Sequence, residues 1–394
     1  MMKCNIIRML VAGLLLLHVA DVSAADGLSK TESDRVRELV VNEWMEQTRA
    51  TYGPMFLSDR MEDLCVSNGE DRMPIWYKIY GNAPMGDRSL WISLHGGGGT
   101  TQQINDEQWN NQKILYQPQE GVYVAPRAPV DAWDMWFQTP IDVLYEKLIQ
   151  AMVACHGVNP DKVYLMGYSA GGDGVWRLAP RMADHWAAAS MMAGHPGDVS
   201  LLNLRNLPFM IWCGELDAAY NRNKVCAERG EEMDSLQRDC PEGYIHQTHI
   251  VPGKGHWMNH KDSAALPWMQ KFVRNPYPSS IVWQQEEVTK SSFYWLQIPE
   301  NEMQRGRQVR LSVEGNTINI VRCDYSQLTL YLCDELVDLD KSVTVNLNGR
   351  RVFEGKVLRR EDVMRRTMTE RGDPRYCFPA LLEIETSSQE GRKR

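Results

Sequence analysis

One serine stands among glycines in the segment MGYSAGGDG, residues 166–174. Ser169 follows the apolar run KVYL and precedes residues typical of a helix, so an abrupt turn from strand to helix is predicted. Such a turn strains the backbone, and small neighbours such as Gly167 and Gly171 avoid the resulting clashes. An ordinary serine in a tight turn is the alternative. The G-x-S-x-G pattern between a strand and a helix favours a nucleophile, with the Ala170 amide at the helix N-terminus.

A serine hydroxyl needs a neighbouring base to act as a nucleophile. His256, in the segment GKGHWMN, follows the last predicted strand of the alternating region, and the serine also lies after a strand. His260 is the second candidate. His246 and His249 lie within a strand whose geometry disperses their rings, so the histidines do not suggest a metal site. We therefore expect His256 to be the base, with no metal and no cofactor.

A carboxylate that holds the imidazole would complete the set. Asp217 lies in the segment WCGELDAAYNR, just after a buried strand ends. Glu215 is the alternative acid, two residues earlier in the segment that leads from the strand into the loop. Asp217 is favoured because it comes after the end of the strand, in a loop.

The segment LHGGGGT supplies a fourth component. A glycine loop after a strand leaves its backbone amides open to a developing oxyanion, because side chains would block that approach. Gly97 and Gly98 are the expected donors, and Ala170 completes the hole. His95 is expected to orient this loop. A phosphate-binding loop is the alternative, but the G-K-[ST] ending of that motif is missing.

Several aromatic residues follow strand ends and are candidates for a substrate pocket. Trp257 comes directly after the predicted base, and Trp133 and Trp136 share the loop PRAPVDAWDMWF. For these three, pocket lining and core packing are equally supported. With His95 they form the predicted pocket.

Strands and helices alternate over the first two thirds of the chain. An amphipathic helix over 30–52 is predicted to end at Gly53-Pro54. The segments 75–81 and 89–99 are predicted to be neighbouring strands, and apolar strands then alternate with helices as far as residue 273. This pattern predicts an α/β fold with a mostly parallel sheet covered by helices on both faces.

The pattern changes beyond Pro278. Alternating strands dominate, among them SFYWLQI, and Gly315-Asn316 and Asn348-Gly349 are hairpin turn signals. We therefore predict a catalytic domain over 26–278 and a smaller, mainly β accessory domain over 279–394. A structural cap or dimerisation unit is favoured for this second domain over a glycan-binding role.

The N-terminal 25 residues have the layout of a secretory signal. Lys3 and Arg8 precede an apolar run, Met9 to Leu17, which is too short to span a membrane. Small residues around Ala24 resemble a cleavage site. The sequence predicts a signal peptide over 1–25 and an exported protein, either periplasmic or extracellular.

The net charge bears on the possible binding partners, and the cysteine content bears on possible disulfides. The net charge of −8 and the lack of a basic stripe give no reason to expect nucleic acid. Eight cysteines follow the predicted signal, and an even number in an exported protein permits disulfides. Cys226 with Cys240 and Cys323 with Cys333 are the candidate local pairs.

In this order, the segments LHGGGG, GYSAGG, CGELDAAYNR and GKGHWMN resemble the α/β-hydrolase superfamily. Residues 75–275 are similar to secreted polyhydroxybutyrate depolymerases and feruloyl-esterase-like serine esterases, and also to prolyl-oligopeptidase-like catalytic domains. The resemblance implies that Ser169, His256 and Asp217 form a triad that works through an acyl-enzyme.

An exported serine esterase is the first expectation. Its substrate would be an ester-bearing small molecule or polymer, with a glycan-linked ester as one option. A serine peptidase of the prolyl-oligopeptidase type is the alternative, ranked second because no acidic pair between the glycine loop and the nucleophile is placed to bind a substrate amine. The oligomeric state is left open.

Overall fold

The computed structural model describes residues 27–58, 64–139 and 141–386. The predicted signal peptide lies outside these ranges. No helix within them is both long and apolar enough to cross a membrane.

An eight-stranded sheet forms the centre of the larger part of the molecule, in the order β1-β2-β4-β3-β5-β6-β7-β8. The strands are β1 (Cys65–Asn68), β2 (Asp71–Tyr80), β3 (Arg88–Leu94), β4 (Gly121–Pro126), β5 (Val158–Tyr168), β6 (Ala188–Met192), β7 (Phe209–Gly214) and β8 (His246–Val251). The first two strands are antiparallel to their partners and the others run parallel. The predicted fold class is confirmed. The prediction that 75–81 and 89–99 pair side by side was wrong, because β4 crosses over and inserts between β2 and β3.

Helices cover both faces of this sheet. They are α1 (Lys30–Phe56), α2 (Gln102–Leu115), α3 (Ile141–His156), α4 (Ala170–Arg181), α5 (Arg222–Asp239) and α6 (Ala265–Met269). Consecutive residues of β3 divide between two cores, with Trp91 in one and Ile92 in the other. This alternation follows from the two-residue period of a strand. The core of Ile92 includes residues of α3, α4 and α5, and that of Trp91 includes residues of α6.

The first helix runs four residues past its predicted end. It continues through Gly53 and Pro54 to Phe56, whose ring meets Tyr77 edge-on at 5.6 Å and the His156 ring at 4.4 Å. A proline removes one intrahelical hydrogen bond, and the packing of the last turn against the body offsets that loss.

The C-terminal region contains two antiparallel-rich sheets and one helix. One sheet has the order β10-β11-β14-β17 and the other β16-β15-β13-β12-β9. The elements are β9 (Ser280–Gln284), β10 (Ser292–Phe293), β11 (Leu296–Gln297), β12 (Gln308–Glu314), β13 (Thr317–Cys323), β14 (Gln327–Leu332), β15 (Val343–Leu347), β16 (Arg350–Gly355), α7 (Glu361–Arg371) and β17 (Ala380–Glu385). Both predicted hairpin turns are confirmed. The segment SFYWLQI is not one strand, because it folds back at Tyr294, where φ is 51°.

Buried charges join the C-terminal region to the body of the larger sheet. Arg274 donates to Asp161 and, at 2.7 Å, to Asp373, and it is almost fully buried. Arg371 of α7 donates to Asp184 at 2.7 Å. Breaking a buried pair by removing one partner leaves an uncompensated charge, so these contacts couple the two regions strongly. The domain boundaries at 26–278 and 279–394 stay predictions.

The cysteine pairs suggested by spacing do not form: every cysteine in the described ranges is unpaired. Cys226 and Cys240 are 14 positions apart along α5 and its end, about 21 Å at the rise of a helix. Cys323 ends β13 and Cys333 follows β14, and these two strands belong to different sheets. A disulfide needs Cα atoms within about 7 Å, so proximity in sequence was misleading here.

Candidate active site

Ser169 occupies a strained turn between β5 and α4. Its φ of 58° and ψ of −121° are unusual for a residue with a side chain. The Ser169 N–H donates to the carbonyl of Met192 at 2.9 Å, which ties the turn to the neighbouring strand. A β-carbon at Gly171 would overlap the carbonyl oxygen of Leu94, so only glycine fits there. The local sequence is therefore the one this sharp turn requires.

The His256 ring connects the serine to a carboxylate. Its Nε2 lies 3.0 Å from Ser169 Oγ, and its Nδ1 lies 2.7 Å from Asp217 Oδ2. The carboxylate can only accept, so Nδ1 carries the proton and Nε2 is free to accept the serine proton. The His256 side chain is 44% exposed and that of Asp217 only 2%, so the base reaches solvent while the acid is enclosed. The structure therefore joins the three predicted residues by two consecutive hydrogen bonds.

The loop after β7 fixes the acid. Arg222, at the start of α5, places Nη1 3.7 Å from Asp217 Oδ1 and gives the buried carboxylate a cationic neighbour. Glu215, the rival acid, turns away and accepts a hydrogen bond from the N–H of Gly253 at 2.8 Å. Arg222 was not singled out from the sequence, because its nearness to Asp217 depends on how the loop folds.

Tyr168 is a second residue that sequence reasoning missed. Its hydroxyl donates to the carbonyl oxygen of His256 at 2.5 Å and accepts from the N–H of Met258 at 3.2 Å. The residue before the serine thus binds the backbone of the histidine loop at two points. This arrangement sets the position of the imidazole relative to the hydroxyl.

The glycine loop lies against the serine turn. A β-carbon built at Gly96 would stand 3.3 Å from Ser169 Cβ, and one at Gly98 3.5 Å from Ala170 Cβ. In the described part of the chain, neither the Gly97 N–H nor the Ala170 N–H has an acceptor. Two unpaired donors beside a nucleophile are suited to stabilising an oxyanion.

Gly98 does not fit its predicted role as a donor. Its N–H donates to Asn105 Oδ1 at 2.9 Å, and the Asn105 amide nitrogen returns a bond to the Gly98 carbonyl at 3.0 Å. A second bond from that nitrogen reaches Asp131 at 2.8 Å. A donor already paired in a buried site is not open to substrate, so Gly98 shapes the loop and Gly97 is left as the candidate.

His95 orients the loop, as expected, and is not part of a pocket. Its side chain is fully buried; Nε2 accepts from the Ala128 N–H at 3.1 Å, so Nδ1 carries the proton and donates to the Gly96 carbonyl at 2.6 Å. Burial lowers the pKa of His95 to about 4. The ring is therefore neutral and structural near pH 7.

The three tryptophans lie in different environments. Trp257 is 47% exposed and lines the cavity beside Ser169. Trp136 is fully buried and donates from Nε1 to the His95 carbonyl at 2.8 Å, so its assignment to the pocket was wrong. Trp133 packs its backbone against Gly98 and Gly99 and is exposed, but it does not line this cavity.

A charged network lies on the α5 side of the serine. Asp173 accepts the N–H of His195 at 2.6 Å, and burial raises the pKa of Asp173 and lowers that of His195. Arg222 is a further charge near both residues. Within the described ranges, no three His, Cys, Asp or Glu side chains are grouped so as to hold a metal ion.

The opposite side of the serine opens into a cavity of about 730 Å³. One wall is the face of α2, and the other is the histidine loop. The cavity is lined by Gly96, Gly97, Ile104, Gln108, Asn111, Gln112, Ile114, Leu115, Tyr168, Ser169, His256, Trp257 and His260. Its size is that of an ordinary small-molecule site. His260, the second candidate base, lines the cavity together with His256 and packs edge-on against Trp257 at 4.9 Å.

No protein-family model matches the chain, and no curated protein matches it. Solved structures do show similarity. A thermostable esterase aligns with 52% of this chain and 60% of its own length, at 17% identity and a TM-score of 0.41. The chain therefore spans less than two thirds of that protein. A ferulic acid esterase aligns with 47% of this chain and 85% of its own, at 17% identity and a TM-score of 0.35. An acetyl xylan esterase from Aspergillus awamori aligns with 52% of this chain and 97% of its own, at 12% identity and a TM-score of 0.36.

Proposed function

We propose that the protein is a serine hydrolase that cleaves carboxylic esters through an acyl-enzyme. His256 Nε2 takes the proton of Ser169 Oγ as that oxygen attacks the ester carbonyl. The N–H groups of Gly97 and Ala170 stabilise the resulting oxyanion. The imidazolium, held by Asp217, then protonates the departing alcohol. Water, deprotonated by the same ring, releases the acid and restores the serine.

One observation carries the proposal. The distances of 3.0 Å from Ser169 Oγ to His256 Nε2 and 2.7 Å from His256 Nδ1 to Asp217 Oδ2 form a continuous path for proton movement. The strained φ at Ser169 holds the hydroxyl at one end of that path. A nucleophile, a base within hydrogen-bond reach and a group that orients the base are the minimum arrangement for acyl transfer.

The cavity lining favours esters over the peptidase alternative. An enzyme that binds the amino end of a peptide needs a carboxylate to pair with the ammonium group. Among the described residues that line the cavity, none is Asp or Glu. A glycan-linked ester stays one candidate substrate, and a panel of acetylated, feruloylated and polyester substrates would rank the options.

The test compares ester and amide hydrolysis. Wild-type protein is expected to hydrolyse p-nitrophenyl acetate and to leave aminoacyl nitroanilides nearly untouched. Ser169→Ala is expected to lower kcat for the ester by at least about 10³-fold, since the residual rate would come from the oxyanion donors alone. Ser190→Ala is the matched control, because Ser190 is a buried strand serine outside the site. Equal ester activity in wild type and Ser169→Ala would refute the proposal.

We also propose that the protein is exported. The basic start, the short apolar run and the small residues around Ala24 support this placement. N-terminal sequencing of protein produced with the full leader in a bacterial host is expected to show a mature chain that begins near residue 25 in the periplasm or medium. An intact leader on cytoplasmic protein would contradict export.

A further inference from the structure

The cavity beside Ser169 is a groove along one face of α2, called here the α2 groove. Ile104, Gln108, Asn111 and Leu115 line it and recur at the three- and four-residue spacing of a single helix face. Ile104 is 43% exposed and Ile114, which also lines the groove, is 72% exposed. From Ile104 to Ile114 this face extends about 15 Å at the rise of a helix.

The nucleophile faces the middle of this groove. A β-carbon built at Gly96 would lie 3.3 Å from both Gln108 Oε1 and Ser169 Cβ, so Gln108 is the α2 residue opposite the serine. Ile104 is one turn before Gln108, and Ile114 lies nearly two turns after it. The groove therefore continues past the serine in both directions.

Apart from the imidazoles of His256 and His260 and one tyrosine phenol, the described side chains that line the groove carry no ionisable acid or base. Among the described residues that line the groove, none is Asp, Glu, Lys or Arg. The side-chain amides of Gln108 and Asn111 have no hydrogen-bond partner in the described structure, although each can donate and accept. Trp257 adds a half-exposed aromatic surface on the opposite wall. Free amides between apolar patches suit a chain that carries uncharged polar groups between apolar segments.

We propose that the α2 groove binds an uncharged ester chain that extends on both sides of the scissile bond. The ester carbonyl lies by Ser169, the acyl and alcohol parts run in opposite directions along α2, and Gln108 and Asn111 bond the neutral polar groups of the chain. Ile104 contacts one part and Ile114 the other. This proposal rests on the proposed esterase function and names the substrate class of that site.

Two substrate series test the proposal. One series lengthens the acyl chain of p-nitrophenyl esters from acetate to octanoate, and the other lengthens the alcohol chain of alkyl acetates. We expect kcat/KM to rise by about tenfold or more with chain length in both series, because each methylene that leaves water contributes to binding. A terminal carboxylate or ammonium on either chain is expected to cancel that gain.

Substitution of each isoleucine tests which end of the α2 groove binds the acyl part of the substrate and which end binds the alcohol part. Ile104→Ser is expected to lower kcat/KM by about fivefold for the longest member of one series, and Ile114→Ser for the longest member of the other series. Both side chains are solvent-exposed, so neither change threatens folding. Ile79→Ser is the matched control, since Ile79 is 41% exposed on β2 and does not line the groove.

Each outcome supports or overturns the proposal. A rise in only one series, or isoleucine variants that behave like the Ile79→Ser control, would overturn the two-sided groove. Equal kcat/KM for charged and neutral chains would overturn the neutral selectivity. In these cases, Ser169-dependent hydrolysis of p-nitrophenyl acetate would still support the esterase function. If the wild-type protein does not hydrolyse p-nitrophenyl acetate at all, the proposed esterase function itself is refuted.

Discussion

The two sides of Ser169 differ in charge. Toward α5 the site contains Asp217, Arg222 and Asp173, all held by hydrogen bonds or ion pairs inside the protein. Toward α2 the groove lining has free amides and apolar side chains and, among the described residues, none of Asp, Glu, Lys or Arg.

This difference separates two tasks. Proton transfer needs fixed charges around the histidine, and those charges are enclosed where substrate does not compete for them. Under the proposed function, substrate is selected on the α2 side, by its shape and by contacts with groups that carry no formal charge. In the proposed mechanism the described residues that line the α2 side add no ammonium or guanidinium group, so the N–H groups of Gly97 and Ala170 meet the developing negative charge.

The largest expected effect comes from the charged side. Asp217→Asn is expected to lower kcat by about 10⁴-fold, because an amide neither stabilises the imidazolium nor holds the required tautomer. Glu215→Gln is the control on the same loop; its carboxylate binds the Gly253 N–H and not the ring, so activity should persist. Steady-state kinetics on p-nitrophenyl acetate measure both. A larger loss in Glu215→Gln than in Asp217→Asn would show that the acid has been misassigned.

Placing a charge on the neutral side should have the next largest effect. Gln108→Glu puts a carboxylate opposite Ser169 and is expected to reduce kcat/KM for neutral esters by about twentyfold at low salt, through repulsion of the oxyanion. The loss should shrink at high ionic strength because salt screens partly exposed charges. Gln103→Glu, which adds the same charge on the exposed surface of α2, is the control. Similar effects of the two variants would contradict the special position of Gln108.

A smaller effect is expected where the two sides meet. Tyr168→Phe removes the hydroxyl that binds the His256 carbonyl and the Met258 N–H but keeps the ring. We expect kcat to fall by about fivefold to tenfold with KM nearly constant, since the loss of hydrogen bonds to the loop loosens the base and not the substrate. Thermal unfolding, monitored in parallel, separates this result from simple instability. An unchanged kcat would remove Tyr168 from the positioning role.

The smallest expected effect is on stability and not on the chemical step; it arises at His95, which is buried, whereas the His256 side chain is exposed to solvent. Burial holds the pKa of His95 near 4 in the folded protein, against an unfolded value near 6.5. The unfolded chain therefore binds a proton first as pH falls, so the free energy of unfolding should decrease between pH 6.5 and 4, by up to about 3 kcal/mol from this residue.

Two measurements check the His95 prediction. Denaturant unfolding should show a shallower pH slope over that window in His95→Gln than in wild type. NMR titration of the wild type gives a second readout, which holds even if the variant does not fold: the His95 resonance should stay constant from pH 8 to pH 5. A His95 titration near pH 6.5 would contradict its burial as a neutral ring.

The positions of the three central residues could be predicted because strand ends are local features. Ser169, Asp217 and His256 each follow a strand of the central sheet, namely β5, β7 and β8, and the carboxyl ends of parallel strands share one edge of a sheet. The order of elements along the chain was therefore enough to bring them together. The paired hairpins of the C-terminal region were equally accessible, since turn residues such as Asn348-Gly349 specify their own geometry.

The helix α2 was missed for a physical reason. Its buried positions are amides: Asn105 bonds the glycine loop, and Gln112 donates to Ser93 Oγ at 2.6 Å. Its isoleucines face the groove instead. Hydrophobic periodicity assumes that apolar residues point inward; Trp109 and Leu115 do pack against the core, but the two isoleucines are exposed. A helix that is polar on its buried face can be recognised from the sequence only after the oxyanion loop that it supports has been identified.

The error at Gly98 has a related cause. Whether a backbone amide is free depends on side chains that fold onto it, and Asn105 is seven residues further along the chain. The assignment of Trp136 to the pocket failed in the same way, because its depth in the core is set by packing against His95. Residue type and spacing predict where a loop lies. The hydrogen-bond acceptor of each N–H group in that loop can be identified only from the tertiary structure.

The most direct test of the central claim is covalent labelling by a fluorophosphonate, located by mass spectrometry. The adduct is predicted to lie on Ser169, in the tryptic peptide 163–177, and the labelling rate is predicted to fall by about 10³-fold or more in His256→Ala. Labelling of another residue, or an equal rate in wild type and His256→Ala, would contradict the account.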